Sequence, residues 1–309
     1  MGRLAHSGRL AAAATFALLS VTACSSSGGD APAAAAADTD GGAGGTDDDA
    51  AAPAKVACSE PAASRPPASS CVKTVTGSLV EDATSAPLAL LTTVCGAGLC
   101  LFAKPSPTGF AVDVNRFVDL DAFVVHVDGR PNHANVFVRL TRQASDAVVL
   151  TAPIRVPRLD AVGPELPETP PSSSVTARAG DVTVTLAAGT VVELEFADAA
   201  LLAEGRKLRS GPVSSALAGD PEVLGLHALA PFGATLKPAA DVAITLPAGH
   251  GLADGTVVDL VGLESTLDDP QTGKLLVVGA AVVTGGVAKS EPGRGLSRLT
   301  WVGVRRRGS

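Results

Sequence analysis

Apolar and polar residues alternate along short segments of the first half of the chain. In Phe110-Ala-Val-Asp-Val114 the large apolar side chains share one face, and Asp113 lies on the other. The run Phe123-Val-Val-His-Val127 repeats this spacing, and a turn-rich Asp128-Gly-Arg-Pro131 follows it. Alternation with a period of two is typical of half-buried strands. The pattern predicts an antiparallel β-sandwich over residues 58–159.

The second half of the chain also contains short segments in which apolar and polar residues alternate. Asp181-Val-Thr-Val-Thr-Leu186 and Leu299-Thr-Trp-Val-Gly-Val304 are two of its alternating runs, and only Ala197 to Glu204 favours a turn or two of helix. A second sandwich is therefore expected over residues 175–304. The prolines and serines of residues 160–174 are typical of a semi-extended linker. The fold class predicted is all-β, with two antiparallel β-sandwich domains.

The first residues carry the layout of an export signal. Arg3 and Arg9 precede an apolar run from Leu10 to Val21, which is too short to span a membrane with ease. Residues 1–23 are thus expected to be a signal peptide. The closing Val21-Thr-Ala-Cys24 resembles the lipobox of bacterial lipoproteins. That resemblance implies that Cys24 is acylated, with palmitate-type chains, and anchors the exported protein in the lipid bilayer.

Residues 24–57 are rich in Ala, Gly and Asp, with almost no large apolar side chain. Such a composition cannot offset the entropy of ordering, so a disordered tether is predicted. Ser25 follows Cys24 where an Asp would favour retention at the inner membrane, so the outer membrane or cell surface is expected.

Charge and composition exclude some partners. The net charge is −7, and the tether accounts for much of it, which leaves a mildly acidic remainder without the basic face that nucleic acid requires. A short basic tail, residues 305–309, ends the chain. Hydrophobic residues make up 46% of the sequence, enough for a core, while aromatic residues make up only 3% and disfavour a sugar-stacking cleft.

Four cysteines remain if Cys24 carries lipid, and an even number in an exported chain predicts disulfides. A two-residue hairpin loop in Cys95-Gly-Ala-Gly-Leu-Cys100 places Cys95 opposite Cys100. Cys58 then pairs with Cys71. The crossed pairings, in which Cys95 or Cys100 reaches Cys58 or Cys71, stay open.

One cluster has metal-ligand chemistry. His126 and Asp128 share a strand face, and His133 follows in the next loop, which allows a metal-dependent hydrolase as an alternative function. The spacing matches no zinc motif, and Gly-x-Ser-x-Gly is absent, so no catalytic, metal or cofactor residue is predicted.

Part of the first half resembles the transthyretin-like module that also serves as the regulatory domain of some carboxypeptidases. The residues that carry the resemblance are Val75-x-Gly77, Pro87-Leu-Ala-Leu90 and Thr108-Gly-Phe110. It covers about 80 residues and implies a β-sandwich.

The second half is similar to the β-sandwich module of ankyrins, netrin receptors and tight-junction scaffolds. The similarity lies in Pro231-Phe-Gly, Val242-x-Ile-x-Leu-Pro247, Gly251-Leu-x-x-Gly-Thr256 and Gly293-x-Gly-Leu-Ser-x-Leu-Thr-Trp301. It implies a structural or protein-interaction role.

These observations predict a membrane-anchored bacterial lipoprotein that serves as a non-enzymatic binding or structural module at the cell envelope. Its expected ligand is an unknown protein or polysaccharide. A hydrolase built on His126, Asp128 and His133, or a carbohydrate-binding surface module, is the alternative.

Overall fold

The computed structural model describes residue 58 and residues 69–307, except positions 97, 105, 108, 142, 144 and 268. The predicted signal peptide, Cys24 and the tether lie outside this part of the chain. Within it, no helix is both long and apolar enough to cross a membrane.

Two small sheets and a strand pair form the first half. The order in one sheet is β5-β1-β8, and in the other it is β4-β3-β6-β7, while β2 pairs with β9. The strands are β1 Ser70–Gly77, β2 Leu79–Glu81, β3 Leu91–Gly96, β4 Leu99–Phe102, β5 Phe110–Val118, β6 Val124–Asp128, β7 Val136–Arg139, β8 Ala147–Val149 and β9 Ile154–Val156, with a 3₁₀ helix at Leu120–Ala122.

In the alternating run of β5, the apolar and polar side chains lie on the faces that the sequence predicts. Phe110, Val112 and Val114 are buried and Asp113 is exposed. Their side chains share one core with those of β3 and β6, such as Val94 and Val125, so both sheets bury the same cluster. Two of the pairings, β1 with β8 and β2 with β9, are parallel, which alternation within single strands does not predict.

The second half is dominated by one large sheet in the order β10-β14-β15-β21-β17-β18-β19-β16-β12-β11, with β13 and β20 also paired to β16. Its elements are β10 Ala161–Glu165, β11 Val175–Ala179, β12 Val182–Leu186, β13 Val191–Glu193, α1 Phe196–Ala199, α2 Ala203–Arg206, β14 Lys207–Pro212, α3 Ser215–Ala218, β15 Val223–Ala230, β16 Thr235–Thr245, β17 Val257–Leu263, β18 Leu275–Thr284, β19 Val287–Ser290, β20 Leu296–Arg298 and β21 Trp301–Arg306. The all-β prediction is confirmed.

This large sheet curls until its two end strands, β10 and β11, lie against each other. Gly163 of β10 makes the close approach possible, because a Cβ there would lie 2.4 Å from the carbonyl oxygen of Arg178. Strand β10 falls inside the segment expected to be a linker, so residues 161–165 belong to the sheet. The basic tail is also engaged, since Arg305 lies in β21 and pairs with Asp220 at 3.4 Å.

Three neighbouring strands of the large sheet, β15, β21 and β17, are buried on both faces. In β15, Ala228 and Ala230 join the core of the first half, while Leu229 joins the core of the second. In β17, Val258 and Leu260 join the core of the second half, and the alternating Val261 and Leu263 join that of the first. The two halves therefore share one layer of sheet and form a single compact unit.

Aromatic side chains hold this shared layer to the first half. Trp301 is buried, and its Nε1 donates a 3.1 Å hydrogen bond to the carbonyl oxygen of Asn135. Phe137 lies with its ring centroid 5.9 Å from that of Phe232, across the same boundary. Because buried polar groups need partners, the Trp301 side chain contributes packing and also satisfies the backbone carbonyl of Asn135.

We expect Trp301→Ala to lower the free energy of unfolding by roughly 3–5 kcal/mol, because it empties a large buried site at the shared layer. Urea unfolding followed by circular dichroism should show one transition at lower urea. Val277→Ala, an exposed position on β18, is the matched control and should change stability by less than about 0.5 kcal/mol. A loss for Trp301→Ala no larger than that of the control would contradict the shared core.

Candidate binding surface

The structure joins the four described cysteines in the two local pairs that the sequence favours. Cys58 is bonded to Cys71 and Cys95 to Cys100. Cys95 and Cys100 face each other across the β3–β4 hairpin, as the spacing predicts. The bond to Cys71 ties Cys58 to the start of β1.

The three residues of the alternative hydrolase each have a different partner. His126 stacks on Phe137 with the ring centroids 4.6 Å apart, and its burial lowers the pKa of its imidazole to about 4. Asp128 pairs with Arg130, and His133 contacts the carboxylate of Glu81 at 3.4 Å. No group of three His, Cys, Asp or Glu side chains in the described part of the chain could hold a metal ion.

A largely buried guanidinium contacts three carboxylates where the two halves meet. Arg130 contacts both oxygens of Asp128, with Nε at 2.9 Å and Nη2 at 2.8 Å. Its Nη1 lies 3.4 Å from Glu195 and 3.3 Å from Asp198, which both belong to the second half. We call these four residues the Arg130 cluster. Since it joins residues 65 and 68 positions apart, it forms only when the halves are packed together.

One guanidinium cannot neutralise three carboxylates, and the pKa values of Asp128 and Asp198 shift in opposite directions. Burial raises the pKa of Asp198 to about 6, and the charges of Glu195 and Asp128 add to this effect against the attraction of Arg130. Burial also opposes ionisation of Asp128, but the hydrogen bonds and charge of Arg130 outweigh it and hold that pKa below its ordinary value. Asp198 therefore keeps its proton up to about pH 6, well above the ordinary range of an aspartate.

The segment 196–203, which contains α1 and the start of α2, has an inverted arrangement. Its only charged residue, Asp198, is 3% exposed. Its largest apolar side chains face the solvent instead, Phe196 at 88% exposure and Leu202 at 78%. A helix on a protein surface ordinarily buries its apolar face. The Arg130 cluster explains the inversion, because it binds the polar side of the segment.

Backbone contacts fix this segment further. Gly205 packs so closely that a Cβ there would lie 1.8 Å from the carbonyl oxygen of Asp198. Leu202, between the two helices, has φ 55°, a left-handed conformation that costs on the order of 1–3 kcal/mol for a residue with a side chain. An exposed leucine in a strained conformation is a feature that stability alone does not explain.

Two cavities flank the chain just before β3. One, of about 440 Å³, is lined mainly by apolar groups, among them Leu90 and Phe110, with Lys104 at its edge. The other, of about 380 Å³, is lined from both halves by Leu91, Arg130, Leu201 and their neighbours. Volumes of this size and apolar lining are typical of ligand sites. The cavities and segment 196–203 together form one apolar surface, which we call the composite surface.

This composite surface is suited to binding. It offers exposed apolar side chains beside a guanidinium whose hydrogen bonds are taken by the chain's own carboxylates. Sequence reasoning missed it, although it placed a helical turn at residues 197–204. The signal was an aspartate inside an alanine- and leucine-rich segment, but its partner Arg130 lies 68 positions away, and sequence spacing gives no information on that pairing.

The raised pKa of Asp198 predicts a pH dependence of stability. Between pH 4 and pH 6 the folded state binds a proton at Asp198 that the unfolded state releases, so the free energy of unfolding falls as pH rises. The fall is about 3 kcal/mol at most. Asp198→Asn should remove this fall, as measured by urea unfolding at a series of pH values.

Glu168→Gln is the matched control, because it removes an exposed carboxylate outside the cluster. The control should keep the pH dependence of the unaltered protein. If Asp198→Asn kept it too, the proton would have to bind elsewhere, and the assignment to Asp198 would be wrong.

Comparison with known proteins identified no relative of this chain. No family model matches the sequence, no curated protein matches it, and no solved structure matches the fold.

Proposed function

We propose that this protein is a membrane-anchored bacterial lipoprotein whose folded part is a non-enzymatic binding module at the cell envelope. In this proposal Cys24 carries the lipid, and residues 25–57 tether the folded part to the bilayer. The composite surface then binds an envelope partner, a protein or a polysaccharide.

The observation that carries the binding role is the inverted segment 196–203. Phe196 and Leu202 are exposed beside a cavity that both halves line. Apolar side chains that remain in water after folding mark interaction sites when they cluster. The ionisable groups beside them form ion pairs with one another, which favours a binding function over a catalytic one.

The lipid anchor is supported by the sequence alone. Val21-Thr-Ala-Cys24 ends an apolar run at a cysteine, and a segment with almost no large apolar residue follows. Two or more acyl chains are needed for stable attachment to a membrane, and lipoprotein maturation supplies them at the cysteine. The two disulfides fit an exported protein, because such bonds persist in oxidising compartments.

Replacing Cys24 with Ala tests the anchor. The full chain should move from the membrane fraction to the soluble fraction, because the acylation site is gone. Fractionation after a carbonate wash, followed by mass spectrometry of the mature N-terminus, measures both the location and the modification.

Ser25→Ala is the control, since it alters the next residue and keeps the cysteine. It should leave the protein in the membrane fraction. An unmodified N-terminus in the unaltered protein, or unchanged membrane association of Cys24→Ala, would refute the anchor.

A further inference from the structure

Segment 196–203 is built to project apolar side chains outward. Asp198 is bound inside by Arg130 at 3.3 Å, and Phe196 and Leu202 are exposed on the other side. We propose that this segment docks on a zwitterionic lipid bilayer, with Phe196 and Leu202 inserted among the headgroups. The proposal goes beyond the proposed function, since it assigns segment 196–203 to lipid and leaves the two cavities of the composite surface to the envelope partner, and it rests on the proposed function for the tether.

The charges around the segment favour a zwitterionic surface over an anionic one. Glu195, before it, pairs with Arg130, and Glu204, after it, pairs with Lys207 and Arg209. Because the cations of Arg130, Lys207 and Arg209 are paired with four carboxylates, the surroundings of the segment offer no cationic excess to anionic lipids. Insertion therefore depends on its apolar side chains, and we expect binding to change little with salt.

The size of the segment favours lipid over a second copy of the chain. A stable protein interface buries about 800 Å² on each partner and involves about 20–30 residues a side. Segment 196–203 has eight residues, and Phe196 and Leu202 are its most exposed large apolar side chains. A short protrusion of this kind fits between lipid headgroups, where aromatic and aliphatic side chains of interfacial segments bury themselves.

The length of the preceding chain allows the segment to reach the membrane. The tether of the proposed function has 33 residues, and a random coil of that number of residues has an end-to-end distance of about 30 Å. Cys58 is held near Phe117 through Cys71, while Asp128 of the Arg130 cluster lies at the far end of β6, about 13 Å along that strand. Tethering keeps the segment at high effective concentration near the bilayer, so weak insertion suffices.

A fluorophore at residue 202 tests the proposal. Leu202→Cys and the control Val277→Cys, both at exposed apolar positions, are labelled with an environment-sensitive dye in the full-length protein isolated from membranes. Each is reconstituted into phosphatidylcholine vesicles that contain lipid spin-labelled in its acyl chain. We expect the label at 202 to shift to shorter wavelength and to be quenched several-fold more than the label at 277.

Equal quenching at the two positions would overturn the docking proposal. A blue shift at 202 without quenching by lipid would also overturn it, because protein and not lipid would then cover the site. In a Cys24→Ala background, Phe196→Ser with Leu202→Ser should lower partition into these vesicles by about tenfold for each side chain. Unchanged partition would contradict insertion.

The outcomes separate docking from anchoring. If the unaltered protein floats with the vesicles but residue 202 is not quenched, docking is wrong and the anchor stands. If Cys24→Ala floats as well as the unaltered protein and residue 202 is quenched, the anchor is wrong and docking stands.

Discussion

The structure depends on one layer of sheet that is buried on both faces. Strands β15, β21 and β17 give one set of side chains to the core of the second half and another to the core of the first. Neighbouring residues such as Ala228 and Leu229 thus serve different cores. Neither half could lose this layer without exposing apolar surface, and Trp301 adds a buried hydrogen bond across the boundary.

The composite surface follows from this layer. Arg130 comes from the first half, and Glu195 and Asp198 come from the second, so their ion pairs require the halves to be held in a fixed arrangement. Once Asp198 is bound inward, the rest of segment 196–203 has no core to enter, and Phe196 and Leu202 remain in water. The packing of the two halves thereby creates the exposed apolar side chains on which the proposed binding role depends.

Local patterns predicted many of the strands but not β10, which lies in the segment expected to be a linker. Phe110, Val112 and Val114 point to one core as their alternation indicates, and the spacing of Cys95 and Cys100 matches the bonded pair. The shared layer could not be predicted, because the near-continuous apolar run of β15 shows that a strand is buried without showing what covers each face. The ion pair of Arg130 with Asp198 could not be predicted either, because the two residues are 68 positions apart and no local sequence pattern connects them.

The most direct test of the shared layer is native-state hydrogen exchange, measured at the amides of Val125 in β6 and Val184 in β12. These residues lie in paired strands of the first and the second half. If the halves are one cooperative unit, both amides should exchange through the same global opening and give the same free energy. A markedly lower value for Val125, with Val184 still protected, would show that the first half opens independently and would contradict the account.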